Sequence, residues 1–178
     1  MNIQKANLPL NSILKADNGF KFIDGYTSNF RDSNNTIDIQ KVGELFFSTG
    51  PKWIDTLLAF RNNVVKWFGL KTAGNLTNRQ QQLENFKGEP DERIGLFKVF
   101  HKSENEIILG EDDKHLDFRV SLYLDENTET NQNQLTISTL VKFNNIFGKL
   151  YFMPVLPFHK LIVPTMLKGI IKQIHANK

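Results

Sequence analysis

The sequence has no cysteine among its 178 residues. Without cysteine there can be no disulfide bond, no thiolate nucleophile and no cysteine-ligated zinc or iron–sulfur centre, which excludes several enzyme classes. A chain of this length can bury about 70% of its unfolded surface, so it needs no crosslinks to fold. Because domains usually have about 100–200 residues, residues 1–178 are predicted to form a single domain.

Long apolar runs and an excess of one charge are also missing. The most apolar uncharged stretch, Leu150 to His159, has about half of the roughly 20 residues that cross a bilayer, and it contains two prolines. Residues Met1 to Asn11 have polar asparagine and glutamine throughout and lack the apolar segment of a signal peptide. The net charge is only +3 and is scattered, with no basic run to follow a phosphate backbone. We therefore expect a cytoplasmic protein that binds no nucleic acid.

Phenylalanine, in contrast, is abundant in this sequence. The chain has 15 phenylalanines beside two tryptophans and three tyrosines. Phenylalanine brings apolar area with no polar group, so this excess indicates a large apolar interior or an apolar cavity.

Apolar spacing along the chain predicts an α+β fold. The predicted elements are a strand at 20–30 that is interrupted once, helices at 36–47 and 51–69, strands at 94–101, 106–109, 116–124 and 135–144, and a helix at 147–175. The short loops between the later strands indicate an antiparallel meander. Residues 1–19 are predicted to be an N-terminal extension, and 71–92 a long exposed connection.

This order of elements suggests a place for a ligand. A twisted antiparallel sheet curls, and a long C-terminal helix across its concave side can leave a cavity between the two. The candidate ligand-binding residues are Trp53, Phe97, Phe118, Val120, Phe143 and Phe158. The alternative is that these side chains simply fill a solid core, because apolar periodicity mostly reports packing.

A second candidate site is polar. Alternation along the strand at 116–124 places His115, Asp117 and Arg119 on the face opposite Phe118 and Val120. A carboxylate can fix the tautomer of an imidazole and raise its basicity, and an arginine can hold a carboxylate, phosphate or enolate. The alternative is a solvated outer face with cross-strand ion pairs. The same residues could also form an interaction surface or a dimer contact.

Other motifs are absent or ambiguous. There is no glycine-rich phosphate loop, no nucleophile elbow and no second histidine near His115, so we predict no cofactor and no metal. Trp53, Trp67 and Phe68, with lysines nearby, could sit at a lipid interface, but packing against the sheet explains this helix equally well. Peripheral membrane contact stays a lesser alternative.

The strand segment also carries a family resemblance. The string Gly110-Glu-Asp-Asp-Lys-His-Leu-Asp-Phe-Arg-Val-Ser121, together with residues 53–70, 142–151 and 157–162, resembles the bacterial domain-of-unknown-function family 2867 over about Gly25 to Ile171. That family is similar to the START-related (SRPBCC) helix-grip superfamily. The resemblance implies a curved sheet around a long C-terminal helix, an apolar ligand between them and, in some members, proton transfer. The family has no assigned reaction.

Three functions therefore stay open. The first is non-covalent binding of a small apolar or amphipathic ligand, lipid-like or polycyclic, in an internal cavity. The second is a cyclase-like or isomerase-like enzyme in which His115 and Asp117 transfer a proton and Arg119 holds an anionic group. The third is an interaction or dimerisation module with no small ligand. The sequence leaves the oligomeric state undetermined.

Overall fold

A computed structural model describes residues 2–32, 34, 36–50, 79–126 and 132–176. The strands are β1 (Gln4–Lys5), β2 (Phe22–Arg31), β3 (Arg93–Ile94), β4 (Phe97–Lys102), β5 (Glu106–Asp112), β6 (Leu116–Asp125) and β7 (Gln132–Phe143). The helices are α1 (Ile39–Ser48), α2 (Arg79–Glu84) and α3 (Ile146–Ala176), with a short 3-10 helix at Ile13–Ala16. The predicted α+β class is confirmed. The helix predicted at 51–69 lies outside the described residues.

All seven strands join one curved antiparallel sheet, in the order β1-β2-β7-β6-β5-β4-β3. Strands β3 to β7 form the predicted meander, and β2 returns to pair with β7. The interruption predicted in the first strand is not found, because Gly25 pairs in register with Ser138. A Cβ atom on Gly25 would lie 2.8 Å from the carbonyl oxygen of Ala6, so this glycine allows the N-terminal chain to approach closely.

Two element boundaries differ from the predicted ones. Helix α1 begins at Ile39, later than predicted, because Asp38 caps it and accepts a hydrogen bond from the Lys41 amide at 2.7 Å. The side chain of Asp32 holds the amide of Ile37 at 2.8 Å, which keeps this residue outside the helix. The strand predicted at 94–101 is divided into β3 and β4 by a turn at Gly95, where φ is +59°.

The stretch predicted as an exposed connection contains packed structure. Residues 79–84 form α2, and the ring of Phe86 is buried at 5.4 Å from the ring of Phe47. The remaining part, 71–78, lies outside the described residues.

Helix α3 spans 31 residues with Pro154, Pro157 and Pro164 inside it. Among the described helices it alone is long and apolar enough to cross a bilayer. The sequence prediction considered only the uncharged residues 150–159, whereas the helix continues past them in both directions. Leu167 and Ile170 in its C-terminal part are completely buried, but only 17% of the stretch that meets this criterion is buried.

The sheet has two covered faces. Helices α1 and α3 pack on the face that carries Val120, Leu122 and Leu124, which we call the helix face. The N-terminal residues pack on the opposite face, where the buried carboxylate of Glu106 accepts hydrogen bonds from Ser12 Oγ at 2.6 Å and the Ile13 amide at 2.9 Å. The predicted N-terminal extension is therefore attached to the sheet through a buried polar contact.

Candidate functional site

A pocket of about 200 Å³ lies between the helix face of the sheet and the middle of α3. Its wall is almost entirely apolar. Phe118, Val120 and Ile137 contribute to it from the sheet, and Phe152, His159 and Val163 from α3. Apolar pockets with a few polar groups are the usual form of small-molecule sites, so this pocket is the first candidate.

Several of the residues predicted to bind a ligand lie at this pocket. Phe97, Phe118 and Val120 belong to its wall, and Phe143 packs on the wall residue Phe152 with 5.5 Å between ring centroids. Phe158 is instead 42% exposed. One residue turns a helix by about 100°, so the neighbouring side chain, His159, faces the pocket instead. Trp53 lies outside the described residues.

The pocket volume limits the size of an occupant. An engineered apolar cavity of about 150 Å³ holds benzene. A pocket of about 200 Å³ therefore suits one substituted ring or a short chain. A polycyclic ligand would require the pocket to enlarge.

The polar feature beside this apolar space is a contact between β2 and α3. His159 Nε2 lies 3.8 Å from Asp24 Oδ2. This separation exceeds a hydrogen bond, and neither atom has a hydrogen-bond partner among the described residues. The surroundings are aromatic, since the Phe22 ring meets the imidazole edge-on at 5.7 Å.

Burial and charge act on the groups at this contact. Burial lowers the pKa of His159, and the opposing effect of the Asp24 carboxylate is smaller. The pKa of Tyr26 is raised, first by burial and then by the charge of Asp24 and a hydrogen bond to it. Lys5, which is mostly exposed, lies 3.6 Å from the other oxygen of Asp24. A neutral imidazole therefore lies beside a carboxylate whose charge is partly balanced from the sheet edge.

The second predicted site, His115, Asp117 and Arg119, lies at β6, with Asp117 and Arg119 on the face of this strand opposite the pocket. Its side chains alternate with Leu116, Phe118 and Val120, which line the pocket. The structure thus places Asp117 and Arg119 on the side of the sheet away from the pocket, whereas His115 precedes β6 and contacts Asn145 and Phe147 at the start of α3.

Each of these three side chains has its own neighbours. Asp117 accepts a hydrogen bond from the Asn144 amide at 2.9 Å and lies 3.7 Å from Lys142 on the adjacent strand. Arg119 pairs with Asp112 at 2.7 Å and lies flat over the ring of Phe100 at 3.5 Å. These contacts are typical of cross-strand ion pairs on a sheet face.

His115 supports the start of α3. Asn145 caps this helix, because its side-chain oxygen accepts from the Phe147 and Gly148 amides. Its amide nitrogen donates to the Lys114 carbonyl, which orients the group, and lies 2.9 Å from His115 Nδ1. His115 Nδ1 also lies 3.1 Å from the side-chain oxygen of Asn145, so the tautomer of His115 sets which atom donates in this contact.

Sequence reasoning missed the contact between Asp24 and His159. It predicted an interrupted strand at 20–30 and a helix at 147–175, and it assigned neither residue to a candidate site. One signal was available: Asp24 alternates with the apolar residues Phe22, Tyr26 and Phe30 on one face of the strand. A carboxylate at such a position indicates a buried polar site.

Comparison with known proteins agrees with the resemblance seen in the sequence. The family model described as "Protein of unknown function (DUF2867)" matches residues 17–166. The chain belongs to this family. No curated protein and no solved structure matches it at a significant level. In this DUF2867 protein the matched region includes Asp24, His159 and the part of α3 over the pocket. The wider resemblance to the START-related superfamily stays a prediction.

Proposed function

We propose that this DUF2867 protein binds a small, largely apolar molecule non-covalently in the pocket under α3, and that Asp24 and His159 bind one hydroxyl group of it. The observation that carries the proposal is the pair of buried, unbonded polar atoms beside an apolar void. Buried polar groups almost always have hydrogen-bond partners. Partners missing at a pocket therefore suggest that a ligand supplies them.

A hydroxyl group fits the spacing of the two atoms. An oxygen about 2.8 Å from each would lie about 2 Å off the line that joins them. It would donate to the Asp24 carboxylate and accept from the Nε2–H of neutral His159, whose pKa is lowered by burial. The proposed ligand class is a single-ring phenol or a short alcohol.

Binding requires the imidazole ring to rotate, because both atoms are covered by neighbouring side chains. The helix is weakened on both sides of this ring. Pro157 and Pro164 have no amide hydrogen to donate to the carbonyls of Met153 and Lys160. The part of α3 that carries His159 is therefore less constrained by backbone hydrogen bonds than an uninterrupted helix would be.

The proposal is tested with p-cresol and toluene, which differ by one hydroxyl group. We expect wild type to bind both, with p-cresol about tenfold tighter in NMR titrations because of its hydrogen bonds. Asp24→Leu should abolish this preference and keep toluene binding. If wild type bound p-cresol and toluene with equal affinity, Asp24 and His159 would not bind a hydroxyl group. If wild type bound neither compound, the proposed function would be wrong.

Filling the pocket provides an independent test. Val120→Phe and Val163→Phe add a ring from opposite walls and should each weaken toluene binding more than tenfold. Ile23→Trp is the control, because Ile23 is on the opposite face of the sheet and half-exposed. A circular dichroism spectrum shows whether each variant is folded. If one of them is unfolded, toluene binding by the other variant tests the proposal. Full toluene affinity in a folded, filled variant would contradict the proposal.

A proton-transfer enzyme is the second candidate, and the same contact favours it. A carboxylate beside a neutral imidazole at an apolar pocket is a common form of general base. Wild type should then speed deuterium uptake next to the carbonyl of cyclohexanone in D₂O, and His159→Gln should not. Identical uptake with and without wild-type protein would exclude this reaction for this ketone.

A further inference from the structure

Helix α3 carries a row of large apolar side chains on its outward side. We call this the apolar row: Ile146, Phe147, Leu150, Met153, Phe158 and Leu161, each between 42% and 68% exposed. At 100° per residue they fall within an arc of about 140°, and at 1.5 Å per residue they cover about 22 Å of helix. Contiguous exposed apolar surface of this kind usually marks an interaction site.

The charges of α3 all have one sign. The helix contains Lys149, Lys160, Lys168 and Lys172 and no aspartate or glutamate. On the same helical projection, Lys149 and Lys160 lie along one edge of the apolar row, while Lys168 and Lys172 extend its face towards the C-terminus. All four lysines are exposed. The apolar row is therefore bordered by positive charge.

The buried side of α3 limits how the apolar row can contact a membrane. Leu167, Ile170 and Ile171 are completely buried against the sheet and α1. If α3 left the sheet to cross a bilayer, the apolar helix face of the sheet would be exposed to water, which favours a helix that stays on the sheet and lies flat on a surface. Apolar side chains beside lysines are typical of helices that bind the interface of a membrane.

We propose that the apolar row of α3 docks on an anionic lipid surface, with the lysines of α3 contacting the headgroups. A lysine close to a negatively charged membrane surface is attracted to it, and this attraction strengthens membrane binding. A second copy of the chain fits less well, because α3 against α3 would oppose like charges with no acidic residue on either helix to pair with them. The proposal is independent of any ligand in the pocket.

Sedimentation with lipid vesicles tests this surface. We expect wild type to bind vesicles of phosphatidylcholine with about 30% phosphatidylserine at least tenfold better than vesicles of phosphatidylcholine alone, and 0.5 M salt to remove most of the difference. Leu150→Glu and Leu161→Glu should each lower binding to the anionic vesicles at least tenfold, and the Lys149→Glu/Lys160→Glu variant should do the same.

Matched controls lie on the other side of the molecule. Leu10→Glu removes an apolar side chain that is 82% exposed, and Lys15→Glu reverses an exposed lysine, both in the N-terminal residues on the opposite face. Neither change should alter vesicle binding, and unchanged melting temperatures would show that all variants fold. Absence of wild-type binding to anionic vesicles, or equal losses in the controls, would overturn the proposal. Dimers that Leu161→Glu dissociates, without vesicle binding, would identify a second copy as the occupant instead.

Discussion

The imidazole of His159, which lines the apolar pocket from α3, lies 3.8 Å from the carboxylate of Asp24 on β2. One residue comes from the first long strand and the other from the last helix. This contact places two buried polar groups beside an apolar pocket. Because one of them is a histidine, it leads to a prediction about the pH dependence of stability.

Acid should destabilise the protein through His159. Burial lowers its pKa in the folded state, so folding favours the neutral imidazole. The resulting stability is present above the unfolded pKa of about 6.5 and is lost as pH falls through the lower folded value. Between about pH 7 and 5, the melting temperature of wild type should fall more steeply than that of His159→Gln. The exposed His175→Gln variant is the control. Equal slopes in wild type and His159→Gln would contradict this.

The close approach of α3 to β6 should make Gly148 intolerant of a side chain. A Cβ atom there would lie 2.1 Å from the His115 carbonyl oxygen. Alanine favours a helix over glycine by up to about 1 kcal/mol, but the clash should prevail and leave Gly148→Ala less stable by about 2 kcal/mol. Denaturant unfolding measures this change. Gly50→Ala meets no atom within 4 Å and should be nearly neutral. A Gly148→Ala variant as stable as wild type would show that the helix can move away.

The buried carboxylate of Glu106 should hold the N-terminal residues on the sheet. It accepts hydrogen bonds from Ser12 and the Ile13 amide, and from Ser121 Oγ at 2.5 Å. Glu106→Ala removes all three hydrogen bonds and should speed hydrogen exchange of the amides near Ser12 at least tenfold. The exposed Glu89→Ala variant should leave these amides unchanged. Unaltered exchange in Glu106→Ala would mean that apolar contacts hold this segment.

Arg119 should not affect ligand affinity, because it lies on the sheet face away from the pocket. Asp112 in its ion pair is exposed, but the Arg119 side chain is mostly buried and stacks on Phe100, so Arg119→Gln should cost about 1–2 kcal/mol of stability. The affinity for p-cresol should stay within twofold of wild type in the same NMR titration. A tenfold loss without unfolding would return Arg119 to the candidate binding residues.

Local sequence patterns predicted much of this fold because they depend on backbone geometry. A period of two marked β6 and set Phe118 and Val120 on the face opposite Arg119, and helical spacing marked α3 almost to its ends. The same alternation correctly grouped side chains by face. It could not say which face the helix would cover, since both faces of β6 have buried residues.

The site itself was decided by contacts between distant parts of the chain. Alternation and helical spacing describe neighbours in sequence, so they predicted the strands, the final helix and an α+β order. They hold no information about which strand residue an imidazole of α3 will meet. Only the packing of α3 over the sheet placed His159 against Asp24 and left Phe158 exposed, because the rotation of a helix is fixed by all its tertiary contacts together.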